Sequence, residues 1–159
     1  MAVAGAIVVE FYANSLTHGL QAADSTAPSI TVGPTAVVSP TSVGVTATIT
    51  DDTPPIVFYA VVVADGAGAP SSAQIQAGTD SLDAAAPNDN DTVTSGGVAS
   101  LFIGGLSSGT AYDVYYVALD DSGNDSTPAK LDITTTTPPA ASGTSPIASI
   151  VHSRRRRRE

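Results

Sequence analysis

The side chains able to do chemistry are few and lie far apart along the chain. The 159 residues contain two histidines, His18 and His152, with no cysteine and no tryptophan. A histidine works as a general base only with a nucleophile and an orienting acid within hydrogen-bond reach. Neither histidine has such neighbours in sequence, and the two lie near opposite ends of the chain. Without cysteine there is no thiolate nucleophile, no disulfide and no sulfur ligand for a metal. Carboxylates are paired at Asp51-Asp52 and Asp120-Asp121. Glycoside hydrolysis needs two acids held apart across a cleft in contrasting environments. Acids side by side in polar turns instead bond local backbone and stay solvated. No enzymatic activity and no cofactor are expected.

Metal binding has one candidate. Asp120, Asp121, Asn124 and Asp125 place four oxygen-bearing side chains within six residues, and Asn88–Asp91 forms a second such cluster. Calcium takes about six to eight oxygens, and neither cluster has the spacing of a helix–loop–helix calcium site. Calcium at Asp120, Asp121, Asn124 and Asp125 stands as the alternative to plain turn residues.

Charge is distributed unevenly. The net formal charge is −9, yet residues 1–153 hold Lys130 as their only base against fourteen acids. Arg154, Arg155, Arg156, Arg157 and Arg158 supply the remaining bases. The acidic body repels nucleic acid, so only the arginine run could attract phosphates. That run has three readings: a solvated tail, an anchor on acidic neighbours, or a nucleic-acid contact. A Lys-poor acidic surface suits an extracellular or saline setting.

Residues 2–9 are apolar, but no base precedes them and Glu10 ends the run. They lack the form of a secretory signal, and Met1–Ala23 are expected to belong to the working protein. No apolar run approaches the roughly 18 residues of a membrane span.

Three zones organise the chain: an N-terminal arm with one strand over 1–24, a sandwich over 25–137, and a C-terminal arm with a short strand and the arginine run over 138–159. In the middle zone, strands are expected at Ser29–Val38, Val43–Thr50, Ile56–Ala64, Gln74–Ala77, Gly97–Ile103, Ala111–Asp120 and Ala129–Thr136. Gly33-Pro34 makes the first an edge strand, because proline cannot donate to a central ladder. Val43–Thr50 alternates with period two, while Ile56–Ala64 is apolar on both faces. Asn88–Asp91 reads as a turn. Seven short strands in this span predict an all-β, antiparallel sandwich.

Residues Leu106-Ser107-Ser108-Gly109-Thr110-Ala111-Tyr112-Asp113-Val114, then Val117–Asp120 and Gly123–Ser126, resemble the corner, sixth strand and following turn of a fibronectin type III domain. Thr26-Ala27-Pro28, Tyr59–Val63 and Leu131–Thr135 fit the same family. Gly68–Gly78 resembles a loop variant of microbial and phage members. The resemblance implies a seven-stranded immunoglobulin-like, fibronectin type III-like sandwich. It also implies a Tyr112 hydroxyl bonded to backbone near Leu106–Gly109. The family's usual tryptophan is missing, so Ile49, Tyr59, Leu101, Leu106, Tyr112 and Val114 are expected to fill the core.

With Tyr59, Val61 and Val63 inward, Phe58, Ala60 and Val62 point outward. With Tyr112, Val114, Tyr116 and Ala118 inward, Tyr115, Val117 and Leu119 point outward. The resulting apolar patch of Phe58, Val62, Tyr115, Val117 and Leu119 needs a cover. The candidates are a neighbouring subunit, the chain's own tails, or a sugar stacked on Tyr115. The β-prone arms, with Ile7, Val9 and Phe11 at one end and Ile147 and Ile150 at the other, suit addition to a sheet edge. Pairing on their own domain is the alternative. These features suggest a non-enzymatic structural protein of an extracellular assembly, expected to be a homo-oligomeric tailed-phage virion component: capsid decoration, head fibre or tail-associated protein. The alternative is a secreted cell-surface adhesion or carbohydrate-binding module that contacts a host-surface glycan.

Overall fold

A computed structural model describes residues 24–140 of the chain. Alternating and β-branched residues bounded by Gly, Pro and Asp turns form seven strands: β1 (Ser29–Val38), β2 (Ser42–Thr50), β3 (Ile56–Ala64), β4 (Asn88–Val93), β5 (Gly97–Gly104), β6 (Ala111–Leu119) and β7 (Ala129–Thr134). A short helix, α1 (Ser72–Ala77), lies between β3 and β4. Two antiparallel sheets result, one ordered β1-β2-β5 and the other β4-β3-β6-β7. The chain thus forms the all-β, immunoglobulin-like sandwich of fibronectin type III-like topology. The arm strands expected at 1–24 and 138–159 fall outside the described residues, apart from 138–140.

The core lies between the sheets. From β2 come Val43, Val45, Ala47 and Ile49, and from β5 Ala99, Leu101 and Ile103, as their alternation requires. Opposite them stand Ile56, Phe58, Ala60 and Val62 of β3 with Val114, Tyr116 and Ala118 of β6. The rings of Phe58 and Tyr116 meet at 5.9 Å between centroids. Phe58 is the largest fully buried side chain of the core.

Three expectations are corrected. Gln74–Ala77 is helical, because Ser71 and Gln74 form a capping box and Gly78, at φ 69°, closes the C-terminus in the left-handed region. The fourth strand is instead Asn88–Val93, which pairs with β3 over Ile56–Val61. The facing of β3 is the reverse of that expected: Phe58 and Val62 lie in the core, and Tyr59, Val61 and Val63 face outward.

Two poles follow from the register. Ser29 pairs with Thr50, Val57 with Leu119, and Ile49 with Gly97, so Asp24–Pro28, the β2–β3 turn and the β6–β7 turn share the upper pole. The chain leaves at the lower pole. There the Thr135 hydroxyl bonds the carbonyl of Ser107 at 2.6 Å, and the Thr136 N–H bonds the Ser39 carbonyl at 3.3 Å.

Candidate functional site

The expected patch on β3 and β6 is not a free surface. Its outer face carries Tyr59, Val61, Val63, Tyr115 and Val117, and Ile75 of α1 packs onto it with Ala67 and Ala86. Val117 is fully buried there, while Tyr115 and Leu119 are half-buried. Among the described residues the cover is the segment between β3 and β4. Phe58 and Val62 cannot meet a partner, because they fill the core.

The broad face left open belongs to the other sheet. Alternation along β5 puts Val98, Ser100 and Phe102 outward, and Val98 and Phe102 are 62% and 70% exposed. Gly44 of β2 lies between Phe102 on one side and Val37, 75% exposed, on the other. A Cβ on Gly44 would meet nothing closer than 3.8 Å, so the glycine leaves a notch in the surface between two apolar side chains. One step along, Thr35 and Thr46 share a hydrogen bond of 2.8 Å, with Ser100 beside them. Among the described residues of this face none is charged. Its signal was present in the period-two pattern of β5, where Ala99, Leu101 and Ile103 take the opposite side.

At the upper pole the carboxylates of Asp24, Asp51 and Asp52 each bring an oxygen within 4.8 Å of the others. The Thr53 hydroxyl donates to Asp24 at 2.6 Å and the Thr26 N–H at 2.9 Å, which together hold the Asp24 carboxyl below its ordinary value. Asp51 is pushed upward, first by burial and then by neighbouring acids including Asp120. One of its oxygens, Oδ2, is buried with no hydrogen-bond partner among the described residues. Of the four residues singled out for calcium, three are engaged in local hydrogen bonds. Both oxygens of Asp120 accept from Asn124, from its backbone N–H and its amide, each at 2.8 Å, and the Gln76 amide holds Asp125 at 2.7 Å. Asp121 is exposed. If a cation is held at this pole, Asp24, Asp51 and Asp52 are the residues placed to do it.

Lys130 is the only base among the described residues. It bonds Asp132 at 2.7 Å and the buried Asp113 at 3.2 Å, and both acids raise its pKa. The second oxygen of Asp113 accepts the Gly66 N–H at 3.2 Å, which ties the start of the β3–β4 segment to β6. This arrangement holds the loop against β6.

The two sides of the sandwich differ. On one, carboxylates of β4 cap the edge of β5: Asp89 accepts the Phe102 N–H at 2.7 Å and Asp91 the Ser100 N–H at 2.9 Å. On the other, β1 shifts register between Val32 and Thr35 and leaves a cleft of about 340 Å³ beside β7, lined by Ile30, Pro34, Tyr116 and Ala129 among others. The Tyr116 hydroxyl is raised in pKa by burial. Ile7, Val9, Phe11, Ile147, Ile150 and Arg154–Arg158 lie outside the described residues, as do both histidines.

No family model and no curated protein matches the chain. Among solved structures it is similar to one described as "Myokine structure", at 16% identity and a TM-score of 0.47, covering 72% of this chain and all of that one. It is also similar to the solution structure of the fibronectin type-III domain of human fibronectin type III domain containing protein 3, at 16% identity and a TM-score of 0.46, covering 77% of this chain and 99% of that one.

Proposed function

We propose that the chain is a non-enzymatic structural component of an extracellular assembly, most concretely a tailed-phage virion protein of the decoration, head-fibre or tail-associated kind. The observation that carries this reading is the uncharged face of β1, β2 and β5, open around Val37, Gly44 and Phe102 on an otherwise acidic domain. A strongly acidic body keeps copies apart in every orientation except one that meets through an uncharged surface. Exposed apolar side chains on such a surface favour association. The N-terminal arm, with Ile7, Val9 and Phe11, adds a β-prone segment for a neighbour's sheet. The phage setting draws its support from the resemblance of Gly68–Gly78 to microbial and phage members.

Light scattering after size-exclusion chromatography tests the assembly. The full chain is expected to form oligomers that Val37→Asp with Phe102→Asp disperses. A chain that stays monomeric up to about millimolar concentration, weaker than any stable assembly needs, overturns the reading. Capsid or tail genes beside the coding sequence support the virion setting, and a neighbourhood of unrelated genes counts against it.

A further inference from the structure

β7 is the last strand of its sheet, paired with β6 on one side only. The Thr135 N–H bonds the Thr110 carbonyl, and antiparallel pairs alternate between bonded and unbonded. Carried back along the register, this alternation commits Ala129, Leu131 and Ile133 to β6 and turns the backbone N–H and C=O groups of Lys130, Asp132 and Thr134 to the open edge. The next outward N–H, that of Thr136, bonds the Ser39 carbonyl and ends the open stretch. At the other edge of the same sheet, β4 is tied to β5 through Asp89 and Asp91. Among the described residues nothing ties down β7 between Lys130 and Thr134 in that way. Such an edge pairs with another strand unless its side chains forbid it. Lys130 and Asp132 stand two residues apart on the outer side of β7, bonded to each other at 2.7 Å. They carry opposite charges, so they forbid some pairings and favour one.

We propose that β7 pairs antiparallel with β7 of a second copy about a two-fold axis at Leu131, so that Lys130 of each copy lies opposite Asp132 of the other. Both residues have their backbone groups turned outward, as a hydrogen-bonded antiparallel pair requires. Leu131, whose groups are committed to β6, falls in the unbonded position between them. Other two-fold registers lose the charge match. An axis at Lys130 opposes two lysines, and one at Asp132 opposes two aspartates. An axis at Ile133 sets both charged residues against threonines, and the second of these, Thr136, is already bonded to Ser39. Opposite charges directly across a strand pair stabilise it, and like charges destabilise it. Around the Leu131 axis the two lysines and two aspartates alternate in sign. Each lysine is also held by its own buried Asp113 at 3.2 Å, which fixes it at the seam. The Thr134 N–H meets the carbonyl of Pro128, just before the second copy's β7 begins. On the core side the two half-buried Leu131 side chains come together. Lys130 is the only base among the described residues, so this edge is where one acidic body offers another a positive charge. The two four-stranded sheets become one continuous sheet. The contact goes beyond the proposed assembly, which uses the face of β1, β2 and β5 and leaves β7 free.

Light scattering on the full chain carrying Val37→Asp and Phe102→Asp, which removes the face contact, tests the pairing. That protein is expected to stop at a dimer at about 0.1 mM. In the same background Lys130→Glu alone and Asp132→Lys alone are each expected to give monomers. Their equimolar mixture is expected to re-form a one-to-one dimer, because glutamate then faces lysine across one half of the seam and aspartate faces lysine across the other. Asp132→Lys leaves Lys130 on Asp113, so it carries the test if Lys130→Glu does not fold. Hydrogen exchange at the amides of Lys130, Asp132 and Thr134 is expected to be at least about tenfold slower at about 0.1 mM than at about 1 μM. The pairing is overturned by a monomer in this background, or by a dimer that survives Asp132→Lys. Protection of those amides that ignores concentration also overturns it, since the chain's own arms would then cover the edge. Oligomers of the unaltered chain that fall straight to monomers on Val37→Asp with Phe102→Asp support the face contact and refute the β7 pairing. A dimer that those two changes leave intact and Asp132→Lys splits refutes the face contact and leaves the β7 pairing standing.

Discussion

The carboxylate of Asp89 accepts the backbone N–H of Phe102 at 2.7 Å, across the gap between one sheet and the other. With Asp91 on Ser100, it turns the polar side chains of β4 into acceptors for an edge that would otherwise solicit another strand.

Replacing Asp89 and Asp91 together by alanine is therefore expected to cost about 1–2 kcal/mol of stability in urea. The freed β5 edge is expected to raise light scattering on standing. Each single change should show roughly half the loss.

The corner hydrogen bond implied by the resemblance is present: the Ser107 N–H donates to the Tyr112 hydroxyl at 2.9 Å. Tyr112→Phe removes the acceptor and keeps the ring. Equilibrium unfolding is expected to show a loss of about 1 kcal/mol with an unchanged denaturant slope.

Two phenylalanines separate core from surface. Phe58 is fully buried against Tyr116, and Phe102 is 70% exposed. Phe58→Ala is expected to cost about 3–5 kcal/mol. Phe102→Ala should change stability by no more than about 0.5 kcal/mol, while weakening self-association.

The upper pole has a pH signature of defined sign. Asp51 has its pKa raised by folding, so it favours the folded state fully only below the ordinary value of 3.8 and loses that contribution as pH rises through the folded value. Asp24 has its pKa lowered, so its contribution is present above 3.8 and lost as pH falls through the folded value. Asp51→Asn is expected to raise the melting temperature at pH 7 by about 2–5 °C. The gain should shrink in thermal scans as pH falls and vanish below the ordinary carboxyl value of 3.8, where folded and unfolded states are both protonated.

The strands were legible where apolar runs ended at Gly, Pro and Asp turns, and the facing was legible where one face meets water, as in β2 and β5. On β3 the sequence Ile56–Ala64 is apolar at nearly every position because both faces are covered, one by the core and one by α1. Alternation carries no information in such a strand, and the patch assigned to Phe58 and Val62 fell with it. β4 reads as a turn because Asn88-Asp89-Asn90-Asp91 are poor strand formers. Pairing with β3 and the reach of two carboxylates to β5 override that preference. The helix could have been found, since Ser71 and Gln74 have capping-box spacing and Gly78 follows at the C-terminus. The acidic pole was illegible as a unit, because Asp24, Asp51 and Asp120 meet only through folding.

Asp24 and Thr136 stand at opposite poles, with β1 running down from the first and β7 running down toward the second. Tension applied between those two points acts along the strands, so the β1–β2 and β6–β7 ladders resist by sliding, many bonds at once, and are not unzipped one rung at a time. With its ends at opposite poles, the domain transmits load along its strands, parallel to the broad uncharged flank of β1, β2 and β5.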